Sequence, residues 1–267
     1  MEFARTRDRA AIEAFLRRDT PSHLYALADL DDFFWPDTAW FGAWQDGDLQ
    51  ALCLLLDKLS LPILYAVSSP HHEPTRRLLE FVTPELPDQV FANLGIGLER
   101  AFNEGWHWRP HGEHRKLLLD DAHMLDCADT SRVKAIAPRQ RAELEAFYRD
   151  EAYRPNERGG RFFEPYMLER WPYCGIRERG RLVCVAGTHV LSDRQRVAAL
   201  GNVVTRPDRR RRGLARATTA FLARQLRERV DHLGLNVHAL NRAALRCYQA
   251  LGFRPVCRYL EGLLVRR

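Results

Sequence analysis

Apolar positions recur with helical and strand spacings along the chain, and they form two consecutive series of elements. In the first series, Ile12, Phe15 and Leu16 give residues 10–18 one apolar helical face. Strands are predicted on both sides of the Gln45–Asp48 turn, because Asp-Gly favours a tight hairpin. The pattern then predicts a helix at 74–82, a strand at 89–94, a helix at 96–102 and a strand at 113–120.

The second series is more regular. A long amphipathic helix at 212–230 lies between two predicted strands, 196–205 and 233–240. The other predicted elements are strands at 132–137, 173–178, 181–191 and 254–266, and helices at 138–152, 162–171 and 241–251. Strands mixed with helices in this order indicate an α/β or α+β fold with a mixed sheet.

Composition and charge also divide the chain in two. With 267 residues and 46% hydrophobic content, the chain can form two globular domains. Residues 1–125 hold 12 Arg/Lys against 20 Asp/Glu, whereas residues 126–267 hold 29 against 15. We therefore predict domains at 1–126 and 127–267, and the basic second domain is expected to meet an anion.

Several protein classes do not fit the sequence. The apolar stretches, such as Ala51–Leu56, are too short to cross a bilayer, and the charged N-terminus lacks the apolar core of a signal peptide. The six cysteines show no pairing or spacing with histidine that is typical of zinc sites. We expect a cytoplasmic protein with reduced thiols and no metal.

Four arginines stand directly before Gly213, where the long helix begins. A helix N-terminus presents unpaired N–H groups and partial positive charge, and small residues let a phosphate approach the backbone. The same run could be a solvated basic face or could bind nucleic acid. Nucleic-acid binding is the less favoured reading, because it favours basic residues spread over a face with interleaved aromatics.

A second motif lies between Asn241 and Phe253, in the sequence NRAALRCYQALGF. Asn241 is a suitable helix N-cap, and Gly252 supplies a left-handed stop. Taken alone, Tyr248 would be read as a core residue.

Together the two motifs resemble the GNAT superfamily of acyl-CoA-dependent N-acyltransferases. The phosphate-binding pattern is carried by Arg210, Gly213 and Ala215, and the resemblance covers about residues 132–267. It implies a mostly antiparallel sheet, flanked by helices, whose fourth and fifth strands are parallel and splay apart. It also implies acetyl-CoA as co-substrate and a primary amine, on a small molecule or a protein, as acceptor.

The resemblance further implies a role for each matching position. The backbone of Val203, Val204 and Thr205 would hold the pantetheine arm, and a fourth-strand N–H near Val203 would stabilise the oxyanion. Tyr248 would protonate the leaving thiolate, and Asn241 would touch the cofactor. The pyrophosphate would be held by Arg210, Arg211, Arg212, Gly213, Leu214, Ala215 and Arg216.

The base that deprotonates the amine is not evident, because the fourth strand has no acid where several family members have a glutamate. The candidates are Glu164, His189 and His238, or water held by Asn202. A non-catalytic acyl-CoA sensor therefore stays an alternative to the transferase. The acceptor pocket is expected near residues 154–167.

The first series fits a degenerate copy of the same fold. No Gly-x-Gly/Ala loop follows the apolar strand at 61–67, and Pro74 lies near the next helix start. We expect residues 1–126 to have lost cofactor binding.

Overall fold

The computed structural model describes residues 1–59, 61–67, 72–102, 105–149 and 163–267. The strands are β1 (Glu2–Thr6), β2 (Thr38–Gln45), β3 (Asp48–Leu56), β4 (Ile63–Ala66), β5 (Gln89–Gly95), β6 (Trp106–Leu119), β7 (Lys134–Ile136), β8 (Tyr173–Glu178), β9 (Arg181–Ser192), β10 (Val197–Thr205), β11 (His232–His238) and β12 (Phe253–Arg266). The α-helices are α1 (Arg9–Arg17), α2 (Leu24–Ala28), α3 (His72–Val82), α4 (Arg141–Arg149), α5 (Pro165–Arg170), α6 (Leu214–Arg227) and α7 (Arg242–Gln249). Short 3₁₀ helices occupy Thr20–His23, Trp35–Asp37, Thr83–Glu85, Leu98–Phe102, Ala122–Cys127, Pro138–Gln140 and Pro207–Arg209.

The chain divides into two compact units. Unit 1 comprises Met1–Arg115 with Cys257–Arg267, and unit 2 comprises Lys116–Val256. The two units differ in two segments from the domains 1–126 and 127–267 that were expected from the sequence. Residues 116–126 lie in unit 2, and the C-terminal residues 257–267 lie in unit 1.

Within unit 1 the strands lie in the order β1-β2-β3-β4-β5-β12-β6. The Asp46-Gly47 turn joins β2 to β3 with both residues at positive φ, as the hairpin prediction required. Strands β4 and β5 are parallel, and α3 supplies the crossover between them. The C-terminal strand β12 pairs antiparallel with β5, from Tyr259 with Gly95 to Val265 with Gln89.

Within unit 2 the order is β11-β10-β9-β8-β7. Strands β7 to β10 are antiparallel neighbours, whereas β10 and β11 are parallel and are joined through α6. The predicted mixed sheet with parallel fourth and fifth strands is thus confirmed. Helix α6 buries Leu214, Leu222 and Leu226 completely or nearly so, which fixes its N-terminus beside the end of β10.

Two faces of the unit 2 sheet carry different helices. The Cys184 Sγ on β9 lies 3.4 Å from the Thr218 Oγ1 on α6, so the Cys184 face is covered by α6. Side chains alternate along a strand, and Gly187 therefore belongs to the opposite face, where the Tyr173 ring lies.

None of the helices in the described part of the chain combines the length and apolar character that a membrane-spanning helix needs.

Candidate active site

The cleft of unit 2 begins where the parallel pairing of β10 and β11 stops. The last paired residues are Leu200 and Leu235. Residues 197–200 are buried, whereas residues 201–205 are half-buried. The end of β10 therefore presents one backbone edge that β11 does not cover.

Backbone direction at the end of β10 follows from its pairing with β9. The Arg206 N–H donates to the Val183 carbonyl at 3.0 Å, and Val204 is paired with Val185. Because backbone groups alternate along a strand, the N–H groups of Val203 and Thr205 point away from β9 and toward the cleft. This is the edge that was predicted to hold an amide-bearing arm.

A β-bulge interrupts β10 at the same place. The register shifts between Gly201 and Val204, so that Asn202 and Val203 stand opposite one residue of β9. Asn202 has φ +52°, a left-handed conformation that is uncommon for a residue other than glycine.

The loop after β10 turns back sharply to start α6. Arg211 and Gly213 have φ values of +61° and +75°, and Gly213 is the N-cap of α6. No described atom outside its own neighbours lies within 4 Å of the position that a Cβ would take on Gly213. The first amides of α6, at Leu214–Arg216, therefore begin beside open space and have no capping side chain.

The arginines of this loop differ in their surroundings. Arg209 is paired with Glu178 and Asp208, and the Arg210 Nε donates to the Thr205 carbonyl at 3.3 Å. Arg211 and Arg212 are exposed.

Arg216 lies in the first turn of α6. Its Nε is buried and has no hydrogen-bond partner among the described residues. A buried guanidinium nitrogen without a partner fits a site that receives an anion.

Helix α7 carries the second motif. The Asn241 Oδ1 accepts a hydrogen bond from the Ala244 N–H at 3.1 Å, which confirms its prediction as N-cap. Gly252 has φ +86°, as predicted for the stop. A Cβ at Gly252 would lie 2.0 Å from the Asp121 carbonyl oxygen, so glycine is needed there for both conformation and space.

Tyr248 is 8% exposed, and its ring packs against Phe253. Burial raises the pKa of its hydroxyl, and the nearby Cys247 and Cys184 raise it further. Tyr248 therefore stays protonated, as a proton donor to a leaving thiolate must. Cys184 also lies 3.1 Å from the Thr205 Oγ1, so Tyr248 and the end of β10 border the same group of side chains.

The sequence and the fold of unit 2 are similar to those of known proteins. Residues 173–260 match the family model FR47-like protein. A putative GNAT-family acetyltransferase from Novosphingobium aromaticivorans superposes with a TM-score of 0.58 at 21% identity, over 80% of this chain and 88% of that one. The chain has the GNAT fold and carries an FR47-like domain.

Two further likenesses add to this. The tandem GNAT protein from the clavulanic acid biosynthesis pathway superposes with a TM-score of 0.56 at 12% identity, over 98% of this chain and 97% of that one. The [ribosomal protein bS18]-alanine N-acetyltransferase of Escherichia coli K12 is 37% identical over 86 residues. That match covers 32% of this chain and 56% of the relative, so the chain spans about half the length of the curated relative it matches.

The three base candidates of unit 2 lie in different surroundings. His189 packs on β10, since a Cβ at Gly201 would lie 2.8 Å from the His189 Cβ. Glu164 precedes α5 and follows Phe163, whose ring contacts Tyr148 and Tyr173. His189 thus lies beside the bulge, and Glu164 follows a residue that packs on the two tyrosines beside it.

His238 ends β11, and its Nδ1 accepts a hydrogen bond from the Leu240 N–H at 3.0 Å. A neutral imidazole that accepts at Nδ1 carries its proton on Nε2. The lone pair with which a neutral His238 would act as a base is therefore engaged by the Leu240 N–H. Of the expected acceptor segment at 154–167, residues 154–162 lie outside the described part of the chain.

Sequence reasoning missed two tyrosines at the bulge. The Tyr148 hydroxyl donates to the Asn202 carbonyl at 2.8 Å, and the Asn202 Nδ2 donates to the Tyr173 hydroxyl at 3.0 Å. Both tyrosines lie far from Asn202 in the sequence, which holds no local signal for these contacts. The pair Gly187 and Gly201 was a possible signal, since a Cβ at Gly187 would lie 2.1 Å from the Tyr173 ring.

Among the described residues, no three His, Cys, Asp or Glu side chains form a group that could hold a metal ion. Among the cysteines, Cys53, Cys174 and Cys184 are buried and Cys127 is exposed.

Proposed function

We propose that the chain is an acetyl-CoA-dependent N-acetyltransferase and that unit 2 carries the reaction. The observation that carries this proposal is the start of α6 at Gly213, which opens onto free space beside the uncovered edge of β10. A diphosphate and an amide-containing arm are the two chemical groups that such neighbouring surfaces recognise.

The residues present fit coenzyme A. The amides of Arg211, Arg212, Gly213, Leu214, Ala215 and Arg216 would hold the diphosphate, with the unpartnered Arg216 Nε supplying a charge-assisted hydrogen bond. The backbone of Val203–Thr205 would pair with the pantetheine amides, and Asn241 would lie near the arm. Arg210 would contribute positive charge while its Nε caps the Thr205 carbonyl.

The proposed chemistry is direct acyl transfer. The acceptor amine must lose a proton before it attacks the thioester, because an alkyl ammonium has a pKa of ~10.4. Glu164, His189 and His238 are the candidate bases that would accept this proton. His238 is the least favoured of the three, because its Nδ1 already accepts a hydrogen bond from the Leu240 N–H. The Val203 N–H would stabilise the developing oxyanion, and Tyr248 would protonate the departing thiolate.

The acceptor is proposed to be a primary amine on a small molecule or a protein. The curated E. coli relative is named for transfer to an alanine of a ribosomal protein. Its match with this chain is confined to 86 residues, so it supports the amine class rather than a particular acceptor. A cytoplasmic location is part of the proposal.

Unit 1 is proposed to be a degenerate GNAT-like domain that does not bind the cofactor. Its crossover helix α3 carries Glu73 in the first turn, and α6 has no acid there. A carboxylate at a helix N-terminus occupies the position where an anion is stabilised and repels a diphosphate. The ion pairs of Glu73 and Glu80 with Arg76 further neutralise this helix.

Calorimetric titration with acetyl-CoA, followed by thiol release against a panel of amines, tests the proposal. Binding with turnover of any amine above background supports a transferase. Binding without turnover supports a non-catalytic acyl-CoA sensor. The observation in favour of a sensor is that β10 contains no acidic residue that could serve as the base. No binding overturns both.

Nucleic-acid binding through residues 209–212 is the third reading. It is weakened by the ion pairs of Arg209, which remove one cation of the run. Salt-dependent DNA affinity that coenzyme A does not compete away would favour it over the transferase.

A further inference from the structure

We propose that Tyr148 is a positioning residue of this site, one that aims the Val203 N–H at the thioester carbonyl. The proposal rests on the proposed function, because it concerns the same cleft. Tyr148 is 3% exposed and lies on α4, on the sheet face opposite α6. Its hydroxyl donates to the Asn202 carbonyl, so its proposed effect on the site is transmitted through that peptide.

The peptide that joins Asn202 to Val203 is fixed at its carbonyl. In an undisturbed antiparallel ladder that carbonyl would accept a hydrogen bond from β9. At the bulge the carbonyl accepts a hydrogen bond from the Tyr148 hydroxyl at 2.8 Å.

The orientation of the Val203 N–H follows from that bond. The described part of the chain contains no cis peptide, and in a trans peptide the N–H points opposite to the carbonyl of the same unit. With the Asn202 carbonyl directed at Tyr148, the Val203 N–H is directed away from α4, into the cleft. The alternation set by the Arg206 hydrogen bond to Val183 adds that this N–H is also turned away from β9.

The Asn202 side chain is held as well. Its Nδ2 donates to the Tyr173 hydroxyl at 3.0 Å, and the Tyr173 ring lies over Gly187. Because Asn202 has φ +52°, its conformation is costly and persists only where the surroundings fix it. Two tyrosine hydroxyls supply this restraint: that of Tyr148 bonds the backbone carbonyl of Asn202, and that of Tyr173 bonds its side-chain amide.

Helix α4 is itself anchored to the sheet. Arg177 on β8 donates to both carboxylate oxygens of Glu143 on α4, at 2.9 and 2.6 Å. The Tyr148 ring also packs against Phe147 and Phe163. The hydroxyl is therefore carried by a rigid element, as precise orientation of a peptide requires.

The test is Tyr148→Phe, which removes the hydroxyl and keeps the buried ring. The matched control is Tyr65→Phe in unit 1, where the hydroxyl likewise donates to a backbone carbonyl, that of Ser22. The readout is the ¹³C resonance of [1-¹³C]acetyl-CoA bound to each protein, because it reports hydrogen bonding to the thioester carbonyl without any acceptor. Dissociation constants are measured on the same samples.

We expect Tyr148→Phe to move the bound resonance upfield from its wild-type position, with affinity for acetyl-CoA changed by less than about twofold. Tyr65→Phe should leave the resonance in place. With an amine that is turned over, Tyr148→Phe should lower kcat by about tenfold or more and change KM for acetyl-CoA little.

An unchanged resonance in Tyr148→Phe overturns the role of Tyr148 and leaves the proposed function intact. The same shift in both variants also overturns it, since a loss of general stability would then explain the effect. Wild-type protein that does not bind acetyl-CoA overturns the proposed function, and the role of Tyr148 with it.

Discussion

Arg209 and Glu178 form an ion pair, with the Arg209 Nε 2.7 Å from the Glu178 Oε2. The other Glu178 oxygen accepts from Arg132 at 2.9 Å. These hydrogen bonds hold the pKa of the Glu178 carboxyl below its usual range, so the pair persists at neutral pH. The first arginine of the run thus serves the loop structure, whereas the Arg216 Nε, in the first turn of α6, is buried without a hydrogen-bond partner among the described residues.

Arg216→Ala should therefore weaken coenzyme A binding by about tenfold or more, because a charge-assisted hydrogen bond to the diphosphate is lost. Arg209→Ala removes the same charge at a position that is already paired and should cost less than about threefold. Calorimetric titration of both variants at one ionic strength compares them directly. Equal losses would mean that only the total positive charge of the loop matters.

Gly213→Glu should lower coenzyme A affinity by at least about 100-fold, because its carboxylate would occupy the space at the start of α6 and repel the diphosphate. Gly180→Glu is the matched control, since Gly180 also has a positive φ and open space around its Cβ position. Both changes carry a similar conformational cost of ~1 kcal/mol. The unfolding temperatures of the two variants should be shifted by similar amounts, whereas only Gly213→Glu should lose coenzyme A binding. Retained binding in Gly213→Glu would place the phosphates elsewhere.

Tyr248→Phe should reduce kcat more than it reduces coenzyme A affinity, because the variant keeps the ring contact with Phe253 and loses the proton donor. Burial raises the pKa of the Tyr248 hydroxyl, so the proton-bearing form persists throughout the neutral range. The profile of log kcat against pH should therefore show no decline from Tyr248 ionisation between about pH 7 and 10. An unchanged rate in the variant would remove Tyr248 from the acid role.

Substitution of each base candidate in turn should show which of them accepts the proton of the amine. His238→Asn should leave the ascending limb of kcat/KM against pH in place, because the His238 Nδ1 is already occupied by the Leu240 N–H. Glu164→Gln or His189→Asn should abolish or displace that limb, since His189 packs on β10 beside the bulge and Glu164 follows Phe163, which packs on Tyr148 and Tyr173. If both profiles match wild type, a water held near Asn202 becomes the remaining candidate.

Much of unit 2 could be predicted because its elements have strong local signals. Helix α6 was expected at 212–230 and spans Leu214–Arg227, and Asn241 and Gly252 bound α7 as their capping chemistry requires. The helix begins two residues later than the apolar pattern indicated, because Gly213 has a left-handed conformation and serves as the N-cap.

Other features depend on contacts that no local pattern encodes. The strand Glu2–Thr6 was missed because its alternating charged residues resemble a polar N-terminus, and residues 98–102 form a 3₁₀ turn where a helix was expected. The C-terminal strand pairs with β5, more than 160 residues earlier, so that residues 257–267 join unit 1. The Tyr148 hydrogen bond to Asn202 likewise spans 54 residues.

A crystal structure of the full chain with coenzyme A tests most directly whether the start of α6 binds the diphosphate. We expect the phosphate oxygens to lie within hydrogen-bonding distance of the amides of Leu214–Arg216 and of the Arg216 Nε, with the pantetheine arm along Val203–Thr205. Coenzyme A bound at any other surface, with those amides facing solvent, would contradict the assignment.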